Sequence, residues 1–200
     1  MSKPYEIVVA PFSVYWAPVG EAFPDVDEAP AGNWTLIGTS GSRNYAEEGV
    51  TVVHEQTVEL FRGSGATGPV KAARTEEGLM VRLTLWDMKL EQYRLALNSN
   101  AVSTTAAGSG TPGFKEIDLY RGFDVALMAL LVRGDVSPEG DGFKTQYEVP
   151  LCFPSGSPEV VFSKRAPAGL ALEFTALEDP DAVSVDARFG RLVVQHQAAL

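Results

Sequence analysis

VTVVHEQTVELFR (Val50–Arg62), followed sixteen residues later by LMVRLTLWD (Leu79–Asp87), decides the fold class. In the second run Leu79, Val81, Leu83 and Leu85 point one way, and Met80, Arg82, Thr84 and Trp86 the other. That period of two is the mark of a half-buried strand. In the first run Val50, Val52, His54, Gln56, Val58 and Leu60 share one side, and Thr51, Val53, Glu55, Thr57, Glu59 and Phe61 the other. Neither side is cleanly apolar, as expected of a strand with one face on a core and the other on water or a polar channel.

Between them lies Gly63–Gly78, opening with GSGATGP. It is long for a hairpin connection and predicts an excursion able to pair with another chain. After the second strand, Asp87 is placed as an N-cap for MKLEQYRLALN, where Leu90, Tyr93 and Leu97 recur at helical spacing and Glu91 sits in the first turn. This predicts one flanking helix of about ten residues with those three on its core face. AVSTTAAGSGTPG reads as a loop. Further strands are expected at Ile7–Tyr15, Trp34–Gly38, FKEIDLY, FDVALMALLVRG, KTQYEVPLCF, Val160–Ser163, Leu170–Leu177 and Arg191–Gln195.

The whole reads as one mainly β domain, a sandwich or barrel. Residues 1–49 are an N-terminal arm with the first strands, 50–178 the core and 179–200 a C-terminal arm. The acidic, proline-rich EAFPDVDEAPAGN of the first arm is expected to wrap against something.

Composition agrees. Hydrophobic residues at 45% can build an interior, and Gly 19 and Pro 13 cluster between apolar runs rather than within them. The formal charge of −10 opposes non-specific attraction to nucleic acid. Cys152 is the only cysteine, so no intrachain disulfide forms. No apolar run reaches the ~18 residues of a membrane helix, and a chain made in the cytoplasm is expected.

The motifs that would carry catalysis fail on context. Gly63, Gly65 and Gly68 form a GxGxxG, but a dinucleotide fingerprint must open a helix, and here Lys71 leads through an acidic turn into another strand. No Lys-Ser/Thr pair follows to make a Walker loop. His54 and Glu55 start an HE pair, yet the next histidine is His196, so the zinc-binding HExxH spacing is missing. No GxSxG surrounds a serine. Glu47–Glu48 and Glu76–Glu77 read as solvated neighbours. Glu55 and Glu59, with Thr57 between them, make a spaced row on one strand face rather than a converged acid/base couple. No cofactor, metal or catalytic residue is expected.

The stretch EEGVTVVHEQTVELFR, its glycine-rich loop and GPVKAARTEEGLMVRLTLWDMKLEQYRLALN resemble the major tail, or tail tube, proteins of long-tailed bacteriophages. VYWAPVGEAFP with WTLIGTS resembles their opening segment, and SKRAPAGLALEFTALEDPD their closing strand. The resemblance covers about three-quarters of the chain and includes no catalytic signature. It implies hexameric rings, each subunit adding strands to one inner barrel, stacked into a tube through which phage DNA passes without specific binding.

Partners implied are further copies of the chain and the tape measure, tail terminator and distal tail proteins, with assembly in the host cytoplasm and residence in the virion tail. Six subunits of four strands, about 4.8 Å apart and tilted near 40°, make a barrel about 48 Å across. Side chains narrow it by about 10 Å, leaving room for a duplex about 20 Å wide.

Under that reading Glu55, Thr57, Glu59 and Arg82 face the lumen, Arg82 as a partial countercharge. Gly63, Ser64, Gly65, Ala66, Thr67, Gly68 and Lys71 form a loop between subunits or rings, and Lys164 and Arg165 are candidates for docking on a neighbour. The alternatives are another virion structural protein (tail terminator, connector or decoration protein) and a monomeric β-sandwich ligand-binding module.

Overall fold

The computed structural model describes residues 6–196. Its strands are β1 (Phe12–Ala17), β2 (Thr35–Leu36), β3 (Tyr45–Phe61), β4 (Lys71–Leu85), β5 (Val102–Thr105), β6 (Phe114–Ile117), β7 (Met128–Ser137), β8 (Gly140–Pro154), β9 (Leu170–Ala176) and β10 (Arg191–Val194). All pairings are antiparallel. The main sheet runs β2-β1-β7-β8-β9-β4-β3, with β10 also on β8, while β5 and β6 form a separate hairpin. The chain is mainly β and the sheet does not close into a barrel.

The alternating residues predicted to share one side of β4 face the core: Leu79, Val81, Leu83 and Leu85 are buried with Leu170, Leu172 and Phe174 of β9 and Leu130 and Val132 of β7. The sheet curls, bringing the start of β3 back toward β1. There the buried Tyr45 hydroxyl accepts from the Val14 N–H at 3.0 Å and donates to the Ile37 carbonyl at 2.8 Å.

β8 meets β10 over Thr145–Glu148 and β9 over Cys152–Pro154. β10 and β9 therefore follow one another along the same edge of β8. Gly190 makes the entry to β10 possible. Its φ is +107°, and a Cβ there would stand 1.8 Å from the Glu148 carbonyl oxygen.

Several expectations change. The strands expected within the two arms join the main sheet, β1 pairing with Ala129–Gly134 of β7 and β10 with β8. The acidic EAFPDVDEAPAGN wraps against its own sheet. Trp34 packs on Phe23, ring centroids 5.1 Å apart, and donates to the Ala22 carbonyl, while Gln146 and Arg133 donate to the carbonyls of Pro24 and Val26. These bonds cover the polar back of β7 and β8 and satisfy loop carbonyls that approach the sheet. Residues 197–200 lie outside the described residues.

The helix is far shorter than predicted. An α-helical turn over Leu90–Tyr93 passes directly into a 3-10 turn over Arg94–Leu97. Lys89, not Asp87, holds the cap position. The Asp87 carboxylate instead accepts from the Thr39 N–H and hydroxyl at 2.8 and 2.5 Å and from the Lys89 N–H at 3.2 Å. Burial pushes this carboxyl up, but those bonds outweigh it and hold the group below its usual range.

The core contact shifts with the geometry: Leu95, Ala96 and Leu97 are buried, whereas Leu90 and Tyr93 are half-buried. Predicted spacing required an α-helical period of 3.6, which a single turn followed by a 3-10 turn does not sustain. AVSTTAAGSGTPG, read as loop, supplies β5, which pairs with β6. Val160–Ser163, read as strand, is irregular.

Candidate functional site: the β3–β4 hairpin arm

β9 borders β4 only from Met80 to Leu85, whereas β3 borders β4 from Phe61 to Val50 and again at Tyr45. Beyond Met80 the two strands therefore leave the sheet as a two-stranded arm. From His54 to Phe61 every β3 residue is exposed. Both outer edges of this arm carry no partner strand among the described residues. The second half of the Gly63–Gly78 excursion is thus strand. β4 already begins at Lys71, and TEEG, read as a turn, pairs with β3, since Glu77 lies opposite Gln56 and Glu76 opposite Thr57.

A β-bulge between Thr57 and Val58 adds Thr75 to the β4 side. The connection that remains, Arg62–Val70, is closed by the Val70 N–H donating to the Phe61 carbonyl at 2.8 Å and the Ala66 N–H donating to the Gly63 carbonyl at 3.0 Å. It passes into a strand, so its glycines do not open a helix toward a phosphate.

Opposed residues in an antiparallel pair share a face. Glu55, Thr57 and Glu59 consequently lie on the face away from the core, with Glu76, Met80 and Arg82, as the alternation predicts. The side chains agree: the Thr57 hydroxyl donates to Glu76 at 3.0 Å, and Arg82 reaches Glu173 of β9 at 2.7 Å and Glu55 at 3.9 Å. Arg82 is thus a countercharge, held mainly by Glu173, a residue the sequence reading did not single out. Cross-strand pairing revealed it, and no local spacing marks it.

Gln56, Arg74 and Glu77 form a second cluster on the opposite face, Arg74 bonding Gln56 at 3.1 Å and Glu77 at 3.2 Å. An open hollow of about 620 Å³ at this level is lined by Glu55, Gln56, Thr57, Glu76, Glu77 and Gly78. It holds carboxylates and hydrogen-bonded polar groups, the Thr57 hydroxyl on Glu76 among them.

The arm carries exposed apolar side chains toward its end, Val58 and Leu60 on one face, Phe61 on the other and Val70 after the turn. Where it departs from the sheet, a cleft of about 310 Å³ separates it from β10. Leu79, Tyr147, Val149, Phe189 and Leu192 line that cleft together with the carboxylates of Glu77 and Asp186.

The remaining candidates are placed plainly. His54 is exposed on the arm. His196 stands 3.1 Å from Glu139, far along the chain from His54. Lys164 and Arg165 are exposed on the irregular segment before β9. Cys152 is buried in the core, which pushes its thiol well above the ordinary range. Among the described residues no group of His, Cys, Asp and Glu side chains is arranged to hold a metal ion, and no helix is long and apolar enough to cross a membrane.

What the arrangement offers is an exposed, acid-rich β-surface continuous with an arm whose backbone edges and apolar side chains no described residue covers. No known family model matches the chain, and no curated protein is similar to it.

Proposed function

We propose that the chain is the tail tube subunit of a long-tailed bacteriophage, a structural protein that assembles into stacked hexameric rings around a channel for DNA. One observation carries the reading: the β3–β4 arm extends beyond its own sheet with both edges unpaired among the described residues. Long unpaired edges are templates for pairing with another chain, and folded proteins normally shorten, cover or charge them. An arm left open over about eight residues per strand, or about 27 Å, fits a subunit completed by its neighbours. Exposed Val58, Leu60, Phe61 and Val70 point the same way, since apolar side chains grouped on one projection mark an interaction surface.

The acidic face supports the channel half of the reading. Glu55, Glu59, Glu76 and Glu173 outnumber Arg82 and Lys71 on that face. Repeated around a ring, the row repels phosphates from every wall, so DNA slides rather than binds. The tape measure, tail terminator and distal tail proteins are the partners such a tube requires.

Negative-stain microscopy of the purified chain tests the proposal. Rings or tubes with a central channel wide enough for a duplex are expected. A chain that sediments as a monomer at every concentration, or solid fibres without a lumen, would overturn it.

A further inference from the structure

Asn98 and Ser99 both sit at φ +59°, a left-handed conformation that side-chain-bearing residues seldom adopt, Asn being among the best suited. From that corner Asn98 reaches across to residues 121–126. Its Nδ2 donates to the carbonyls of Arg121 and Asp124 at 2.8 and 2.7 Å, and its Oδ1 accepts from the Ala126 N–H at 2.5 Å. Asn100 adds two bonds, donating to the carbonyls of Asp118 and Tyr120 at 2.6 and 2.9 Å.

Five side-chain bonds thus hold the backbone of a segment with no strand or helix of its own. Its side chains turn outward. Phe123 is 100% exposed and Tyr120 78%, with Leu119, Val125, Leu127 and nearby Phe114 also exposed. A loop that fixes its backbone while presenting Tyr, Phe and Leu to water has already met the ordering cost of binding, and aromatic anchors are the commonest interface hot spots. Aromatics of this size can bury about 150–250 Å² each, so the six approach the ~800 Å² per partner of a standard interface.

We infer that this pinned loop is the surface on a second copy that receives the tip of the β3–β4 arm. Charge and polarity favour that occupant. The tip couples Val58, Leu60, Phe61 and Val70 with Arg62 and Lys71, and the loop couples its apolar side chains with Asp118 and Asp124, which leave it net acidic beside Arg121, whose guanidinium turns to the Gly156 carbonyl at 3.4 Å. Among the described residues none of Arg62, Lys71, Asp118 and Asp124 is in an ion pair. Tip and loop are different surfaces, so the contact is heterologous and repeats from copy to copy, the kind that builds rings or filaments. The inference rests on the assembly reading above and adds the receiving surface.

Sedimentation velocity and microscopy of the full chain test it with Arg62→Glu/Lys71→Glu at the tip and Asp118→Lys/Asp124→Lys on the loop. Each double reversal places like charges together and should weaken self-association at least about tenfold. All four substitutions in one chain should restore it to within about threefold. Mixing the two double variants should restore growth, with the two alternating along the assembly, because every contact between unlike copies then pairs opposite charges, whereas either variant alone pairs like charges.

Asn98→Gly keeps the left-handed corner but removes three bonds, and should weaken association without altering the circular dichroism. The inference is overturned if loop reversal leaves assembly unchanged, or if Asp179→Lys/Asp181→Lys, on a separate acidic segment, rescues the reversed tip instead. Tubes insensitive to loop reversal would remove the inference and leave the tube reading intact. Charge-dependent association without tubes would do the opposite, and a monomer at every concentration would remove both.

Discussion

The Tyr45 hydroxyl accepts the Val14 N–H at 3.0 Å, joining β3 at one end of the sheet order to β1 near the other. No strand pairing links these two elements, so this bond and the onward bond to the Ile37 carbonyl hold the curl where the sheet stays open. Tyr45→Phe keeps the ring and strands both partners in a buried site. A loss of about 1–3 kcal/mol in urea unfolding is expected, with an unchanged m-value. An unchanged midpoint would show that the curl is held by packing alone.

Alkaline pH should unfold the protein before most tyrosines matter. Burial pushes the Cys152 thiol and the Tyr45 phenol above their ordinary values. A group whose folded pKa is raised contributes stability that is complete below its unfolded pKa and is lost as pH rises past it. The first loss therefore begins near the ordinary thiol value of about 8.5, and the second near about 10. In Cys152→Ala the first phase should vanish from a series of thermal melts between these values while the second persists. A wild-type melting temperature flat over that interval would contradict the assignment.

Glu148 is 3% exposed on the back of β8, where Arg191 of β10 donates to it at 2.6 Å and Gln146 at 2.7 Å. Arg191→Met leaves that carboxylate with a neutral donor only. Destabilisation of about 1.5–3 kcal/mol is expected, and Glu148→Gln added to it should cost less than the two changes summed. Chemical denaturation of the four proteins in the cycle measures the coupling.

Gly190 should tolerate no side chain. Its left-handed backbone alone costs a residue with a Cβ about 1–3 kcal/mol, and the Glu148 carbonyl stands where that atom would go. In Gly190→Ala, amide exchange of Arg191–Val194 should accelerate far more than that of β9, because β10 detaches from β8 locally. Equal protection of both strands would argue against this.

Reversing the acidic face tests the channel reading directly. Glu55, Glu59 and Glu76 are exposed, so their triple replacement by Lys should change stability by no more than about 0.5 kcal/mol per site. Assembled wild-type protein should leave duplex DNA unbound in fluorescence anisotropy at low salt. The triple variant should bind it, with affinity falling as salt rises. Indifference of the variant to DNA would place these residues away from any channel.

Much of the fold was legible in the sequence because strand alternation is a local signal. The inward set of β4, the face shared by Glu55, Thr57, Glu59 and Arg82, and the strands β9 and β10 follow from a period of two that needs no knowledge of neighbours. Tertiary structure decided what depends on partners distant in sequence. It decided which edges the strands of the two arms join, β1 on β7 and β10 on β8, because an unpaired β-prone segment lowers its free energy by completing backbone bonds wherever an edge is free.

It cut the helix to one turn, because Asp87 finds Thr39 and because Leu95, Ala96 and Leu97 are drawn together into the core. It also gave Arg82 its main partner, Glu173, ninety-one residues away in sequence. The excursion after Gly63 shows the division most clearly. Its composition marks a segment apart from the core, but only pairing with β3, and the end of the β9 pairing at Met80 with no other described strand alongside, makes it an open arm.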